Sequence, residues 1–243
     1  MGLFKPFIGD VFGLSRIYDL QVENIDNKSF ASWPESAKYG YFVGGRNSVS
    51  AMCTISRLDF SNETANLPGK NLSGTLQASS NVSNNSYAYF GGGYINGATA
   101  CTIARLDFSN ETVSDPGKNL SKVRHSSSGV SNNSYGYFCG GDPWTSPPIT
   151  NPTNLIQRLD FSNETISDPG KNMPTSRNSA AELSNNSYGY FVGGYTPTIG
   201  CLISRLDFSN ETTSDPGKNL NAAGDFIATV SNNSYGLGVE GYY

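Results

Sequence analysis

Along most of this chain, apolar and polar positions alternate one by one in short runs broken by Asn, Ser, Gly and Pro. In the run from Tyr135 to Phe138, the two tyrosines fall on one face and Gly136 and Phe138 on the other. From Arg158 to Phe161, the charged Arg158 and Asp160 lie opposite Leu159 and Phe161. A period of two predicts strands and excludes helix for these runs.

The runs repeat. Arg-Leu-Asp-Phe-Ser-Asn-Glu-Thr begins at Arg57, Arg105, Arg158 and Arg205, at spacings of 48, 53 and 47 residues. Tyr-Gly-Tyr-Phe-x-Gly-Gly begins at Tyr39, Tyr135 and Tyr188, is nearly kept at Tyr87, and survives in degenerate form from Tyr235. Between them lies a run of small residues, as at residues 126–130 and 228–230, usually followed by Ser-Asn-Asn-Ser. Asn suits that turn because it tolerates positive φ and bonds its own backbone. Each period therefore reads as four strands: A, the small-residue run; B, Tyr-Gly-Tyr-Phe; C, Ile-x-Arg-Leu-Asp-Phe; and D, from Glu-Thr to an Asp-Pro-Gly-Lys-Asn turn. Four strands in a unit of about 40 to 50 residues is the signature of a propeller blade. Small residues belong on strand A because blades crowd together near the axis.

The two ends of the sequence complement each other. The last copy carries A and B strands over residues 225–241 with no C or D after them. Near the start, residues 15–20 followed by residues 21–25 form a degenerate C–D pair with no A or B before it. The expected fold is thus all-β: a five-bladed β-propeller of four-stranded antiparallel blades, closed by N-terminal strands that complete the C-terminal blade. Residues 15–243 form the propeller, and residues 1–14 belong to no blade. Joining both ends in one sheet also removes an open edge. An open stack of sheets is the alternative, and it leaves the half-units unexplained.

Composition narrows the function classes. Sixteen Lys and Arg against twenty Asp and Glu give a net charge of −4, with no basic run, so the footprint of a nucleic-acid binder is absent. No apolar stretch approaches the roughly 18 residues of a membrane span, and residues 1–12 lack the features of a signal peptide, so a soluble, unexported chain is expected. Cys53, Cys101 and Cys201 each precede the repeat arginine by four residues, so they occupy one position on separate blades, too far apart for disulfides. With Cys139 they are expected as buried free thiols in a reducing compartment.

At the diglycines Gly44-Gly45, Gly92-Gly93, Gly140-Gly141 and Gly193-Gly194 the unit resembles a kelch repeat, in which a diglycine is followed by a strand with a hydrophobic-Asp pair, matched by Leu58-Asp59 and its equivalents. The longer phrase, Arg-Leu-Asp-Phe-Ser-Asn-Glu-Thr joined to Ser-Tyr-Gly-Tyr-Phe-x-Gly-Gly, is similar to the repeats of virion structural proteins of marine tailed phages, notably cyanophages. That resemblance implies a particle component of the tail, its fibres or the capsid. It places the chain in the virion, after assembly in the host cytoplasm, among other virion proteins.

Candidate chemistry is sparse. The single histidine, His125, has no second His and no Cys pair at ligand spacing, so a surface or rim histidine is expected, with no metal, no cofactor and no catalytic residue. The Arg and Asp of strand C recur in every blade, which favours structural pairing with each other or with the adjacent blade over a ligand site. Lys70, Lys118, Lys171 and Lys218 in the Pro-Gly turns are expected in solvent.

Binding is expected where the repeat breaks. Residues 142–154 lengthen one B-to-C connection and carry Trp144 with four prolines, a stiff aromatic projection of the kind that anchors contacts; a loop that only fills space is the plainer reading. B-to-C and D-to-A connections emerge on one face, so Trp144, Tyr94 and Tyr195 are the expected binding residues. In residues 1–14, Leu3, Phe4, Phe7, Ile8 and Phe12 recur at roughly helical spacing. They read as an arm anchoring the chain to a neighbouring subunit, or as a segment packed back on its own propeller.

The expected function is a non-enzymatic structural or adaptor component of a phage virion, associated with tail or fibre, presenting one propeller face for protein contacts. The alternative is a glycan-binding module for host-surface recognition. Loops that differ between blades while strands repeat favour the first.

Overall fold

A computed structural model describes residues 38–47, 50–143, 152–225, 227–231 and 236–239. The chain divides between Lys38 and Tyr39 into two units, and the architecture below is that of the second. Its described residues form antiparallel strands and no helix.

The first sheet holds β1 (Tyr39–Val43), β2 (Ile55–Asp59) and β3 (Thr64–Asn66). After β4 (Leu76–Gln77), the second sheet holds β5 (Ser80–Ser83) and β6 (Tyr87–Gly91). The short hairpin β7 (Tyr94–Ile95) and β8 (Ala98–Thr99) intervenes, with β4 pairing on β7, before β9 (Ile103–Asp107) and β10 (Val113–Ser114) complete that sheet. The third sheet runs β11 (Ser128–Ser131), β12 (Tyr135–Cys139), β13 (Ile156–Asp160) and β14 (Ile166–Ser167). The fourth has β15 (Ala181–Ser184), β16 (Tyr188–Val192), β19 (Ile203–Asp207) and β20 (Thr213–Ser214), around the hairpin β17 (Tyr195–Thr196) and β18 (Thr198–Ile199). A last pair, β21 (Ala228–Ser231) and β22 (Gly236–Val239), stands alone among the described residues.

Local chemistry explains why the same octapeptide makes the same hairpin each time. Asp107 Oδ1 accepts from the Ser109 amide at 2.8 Å and its hydroxyl at 2.6 Å, and Asn110 Oδ1 accepts from the Thr112 amide and hydroxyl at 2.9 and 2.6 Å. Two consecutive side-chain-built turns thus reverse the chain between strands C and D. The Ser hydroxyl bond, followed by the Ser amide bond, holds Asp59, Asp107, Asp160 and Asp207 below the usual carboxylate range. The A–B turn works similarly, with Asn132 Oδ1 accepting from the Ser134 and Tyr135 amides at 2.8 Å each. Positive φ, expected on the asparagines of the A–B turn, is not found on those described; in the separate C–D turn it falls on Glu63, Glu111, Glu164 and Glu211, at 57° to 58°.

Register is the same in the first to fourth sheets: Tyr41 opposes Arg57, Tyr89 opposes Arg105, Tyr137 opposes Arg158 and Tyr190 opposes Arg205. In the second and third sheets, alternation then commits one face to the sheet before and the other to the sheet after. Phe90 and Leu106 of the second sheet pack on Ile55 and Tyr41 of the first. Phe138 and Leu159 of the third pack on Val82, Tyr89 and Ile103 of the second, and Phe191, Leu206 and Phe208 of the fourth pack on Val130, Tyr137 and Ile156 of the third. Apolar burial between consecutive sheets is the main cohesive term.

The A strands come closest. A Cβ on Gly129 would collide with the Asn81 carbonyl oxygen, so only glycine fits there. Ser128 Oγ donates to the Ala180 carbonyl at 2.8 Å, and Thr229 Oγ1 to the Glu182 carbonyl at 2.6 Å. Farther out, the gap between sheets is wide enough for a tyrosine stacked on a phenylalanine, as in Tyr89 on Phe161 at 5.5 Å between centroids. Small residues on A and aromatics beyond it therefore follow from spacing, as the sequence predicts. All four cysteines are free, but only Cys139 is fully buried; Cys53, Cys101 and Cys201 are half-buried.

Candidate functional site

One layer of the molecule does not repeat. Where the connection into each A strand meets the connection leaving each B strand, Gln77 pairs with Tyr94, His125 with Asp142, and Asn178 with Tyr195. The two connections therefore do share a face. The residue after each first partner is non-glycine with positive φ, namely Ala78 (54°), Ser126 (51°) and Ser179 (52°). These three link across sheets through their backbones, Ser126 N–H donating to the Ala78 carbonyl and Ser179 N–H to the Ser126 carbonyl, both at 2.8 Å. Those bonds hold the layer together, leaving its side chains free to differ.

The side chains do differ, and they touch. Tyr94 of the second sheet stacks on His125 of the third at 4.4 Å between centroids, and Asn178 Nδ2 of the fourth donates to Asp142 Oδ2 of the third at 3.4 Å. His125, expected at the surface or rim, is only 7 % exposed: the Tyr94 ring covers it. Burial pulls the imidazole below its usual pKa against the opposing pull of Asp142. Burial, and then the Asp142 charge, push the Tyr94 phenol up.

His125 Nδ1 lies 2.9 Å from Ser126 Oγ. Positive φ at Ser126 is shared with Ala78 and Ser179, so that strain belongs to the repeat and carries no sign of an activated nucleophile. Tyr94 and Tyr195 are half-buried at the rim of this layer, and Trp144 lies outside the described residues, as do Leu3, Phe4, Phe7, Ile8 and Phe12. Beside the layer, a recess of about 240 Å³ is lined by Lys122, Arg124, Pro143, Pro152, Thr153 and Ser176. Among the described residues no group of three or more His, Cys, Asp or Glu could hold a metal ion.

Beneath the layer sit two arginines that the sequence reading passed over. Arg124 and Arg177 are each 1 % exposed. Arg124 donates to the carbonyls of Phe138 and Gly140 at 3.3 Å and to Gln157 Oε1 at 3.0 Å; Arg177 donates to the Gly193 and Leu202 carbonyls at 3.2 Å and to Ser204 Oγ at 2.9 Å. They pin the diglycine corners from which Asp142 and Tyr195 project. Burial draws the Arg124 guanidinium down to about 10, still protonated at neutral pH. The available signal was an Arg four residues before strand A in two copies, a pattern too short to stand out.

The repeated charges have a different partner from the one expected first. Arg57, Arg105 and Arg158 do not pair with the Asp two residues on; they reach the next sheet, meeting Glu111 at 2.6 Å, Glu164 at 2.6 Å and Glu211 at 2.8 Å. The same glutamates accept from the hydroxyls of Tyr41, Tyr89 and Tyr137 at 3.1, 2.9 and 3.1 Å. Burial and the bond to Glu111 push the Tyr41 phenol up to about 12. Each arginine also lies over a strand-B tyrosine, such as Arg105 over Tyr87 at 4.8 Å. Adjacent-sheet pairing, the second expectation, is what these arginines do. Lys70, Lys118, Lys171 and Lys218 are exposed, as expected.

No protein-family model and no curated protein matches this chain. In the described residues no helix is long and apolar enough to cross a membrane.

Proposed function

We propose that the sheets are blades of a closed five-bladed propeller and that the protein is a non-enzymatic structural or adaptor component of a phage virion, tail- or fibre-associated, presenting its variable face to another virion protein. One observation carries the functional reading. Residues repeated between copies, such as Tyr41 with Glu111, Tyr89 with Glu164 and Tyr137 with Glu211, make contacts between sheets, whereas the equivalent pairs Gln77–Tyr94, His125–Asp142 and Asn178–Tyr195 on one face differ from copy to copy. A scaffold repeats, and a surface matched to an irregular partner does not. The virion assignment comes from the repeat phrase described above, and with it go assembly in the host cytoplasm and an anchoring role for residues 1–14.

A glycan-binding role is the second reading, favoured by the half-buried Tyr94 and Tyr195 rings flanking Asp142 and Asn178, a mixture of apolar faces and hydrogen-bonding groups. Two experiments separate the readings. Mass spectrometry of purified particles should find the chain, and a glycan array should find no defined sugar bound; clear binding of one sugar class reverses the preference. A chain lacking residues 1–14 should fold and fail to join particles, and normal incorporation removes the anchoring role.

A further inference from the structure

The hairpin β7–β8 carries Tyr94, whose ring covers His125, and its tip is Asn96-Gly97, the one Asn-Gly pair in the sequence. Both tip residues have positive φ, 50° and 83°, as a two-residue hairpin turn requires. Both are exposed, and nothing lies within 4 Å of where a Cβ on Gly97 would sit. No described residue accepts from the Gly97 amide. Asn96 itself is held by Thr75, whose N–H donates to Asn96 Oδ1 at 3.1 Å and whose Oγ1 lies 3.4 Å from the same oxygen. Asn96 N–H in turn donates to the Thr75 carbonyl at 3.2 Å.

The available Gly97 amide sets Asn96 apart in an asparagine-rich chain. In the Asn-Ser pairs of the A–B turns, the amide that follows the asparagine is already engaged: Ser86, Ser134 and Ser187 N–H donate to the Oδ1 atoms of Asn84, Asn132 and Asn185 at 2.8, 2.8 and 2.9 Å. After Asn178, the Ser179 N–H donates to the Ser126 carbonyl at 2.8 Å. A nitrogen bonded in this way attacks a neighbouring carbonyl only after the turn opens locally. The Gly97 nitrogen needs no such opening.

We propose that Asn96 is a site of spontaneous deamidation, and that its isoaspartyl product releases Tyr94 from His125 and so alters the variable face. Gly97 N bonds to Asn96 Cγ and gives up its proton to solvent; the Cγ–Nδ2 bond then breaks and ammonia leaves, closing a cyclic imide. Charge that develops on Oδ1 during the attack meets the Thr75 N–H already aimed at it. Water opens the imide with no change of oxidation state: cleavage at Cγ gives aspartate, and cleavage at the Asn96 carbonyl carbon gives isoaspartate. Isoaspartate adds a methylene to the backbone of a turn that pairs Ile95 with Ala98 and Tyr94 with Thr99, and a two-residue turn of fixed twist cannot absorb it. The conversion does not depend on what the face binds, so it stands or falls separately from the functional reading.

The test is incubation of the intact chain at mildly alkaline pH, folded and in urea, followed by peptide mapping for the amide-to-acid mass gain and by isoaspartyl methyltransferase labelling. Asn96 should convert in the folded chain within about threefold of its rate in urea, whereas Asn85, Asn133 and Asn186 should slow by about tenfold or more on folding. A larger slowing of Asn96, or equal slowing of all four, overturns the assignment. Carbethoxylation of His125, the only histidine, should speed up as isoaspartate accumulates. Asn96→Asp keeps the backbone length and an acceptor for Thr75, and should leave His125 protected. Rapid carbethoxylation of Asn96→Asp, or an unchanged His125 in the isoaspartyl chain, overturns the link to the face.

Discussion

A glutamate with φ near 58° carries a backbone cost of about 1 kcal/mol that glycine would avoid. Glu111, Glu164 and Glu211 hold that conformation in the C–D turn, and the carboxylate of each meets the preceding sheet, where an arginine and a tyrosine both donate to it. Both effects are measurable at one position. Glu164→Ala keeps the strain and leaves Arg105 and Tyr89 without their acceptor, so urea unfolding should show a loss of about 2 kcal/mol. Glu164→Gly also loses the acceptor but relieves the backbone, and should lose about 1 kcal/mol less. Equal losses would mean that the conformation carries no cost.

A second residue-scale test concerns Glu182 on β15. Burial pushes its carboxyl up to about 7, and no hydrogen bond to a described residue offsets that burial. Unfolded, the group ionises near pH 4; folded, it stays protonated to about pH 7. The charged form is thus disfavoured in the fold, and stability falls as pH rises from about 4 to about 7 and levels off above. Glu182→Gln should therefore raise the melting temperature more at pH 8 than at pH 4, by an amount bounded at about 3 kcal/mol. Equal effects at the two pH values would contradict the shift.

At the level of elements, the decisive fit is between A strands. Gly129→Ala places a methyl against the Asn81 backbone, which cannot retreat without separating β5 from β11, and should cost about 3 kcal/mol or more. Gly170→Ala lies in open space in a Pro-Gly turn with φ 73°, so only backbone strain opposes it, about 1 kcal/mol. Thermal melts of the pair check the contrast, and similar losses would mean that the strands are less tightly opposed.

The strands themselves were legible because period-two alternation and turn residues are local signals, repeated until chance is excluded. The Arg–Tyr–Glu contact was not legible: nothing local relates Glu111 to Arg57, which lies 54 residues earlier on another sheet. Its one trace was a glutamate retained in a turn where geometry favours glycine or asparagine. His125 was misplaced for a similar reason, since the ring that buries it, Tyr94, comes from the preceding sheet. The variable layer was found as a set of unequal loop positions, but its cross-sheet stacking and the buried arginines beneath it depend on sheet spacing, which only the fold supplies.

For the molecule as a whole, one interface geometry is reused between the first and second, second and third, and third and fourth sheets, and constant rotation per repeat is the condition for a ring. The exposed Phe42, and Glu63, Tyr190 and Arg205, which form no Arg–Tyr–Glu contact among the described residues, are the surfaces such a ring would consume. The most direct test is hydrogen–deuterium exchange of the intact chain, read at the amides of residues 15–25. A closed ring predicts protection at residues 15–20 comparable to that of β9 and β13, because strand C of a complete blade would pair on both edges. Exchange of those amides within seconds, while β9 and β13 stay protected, would contradict closure.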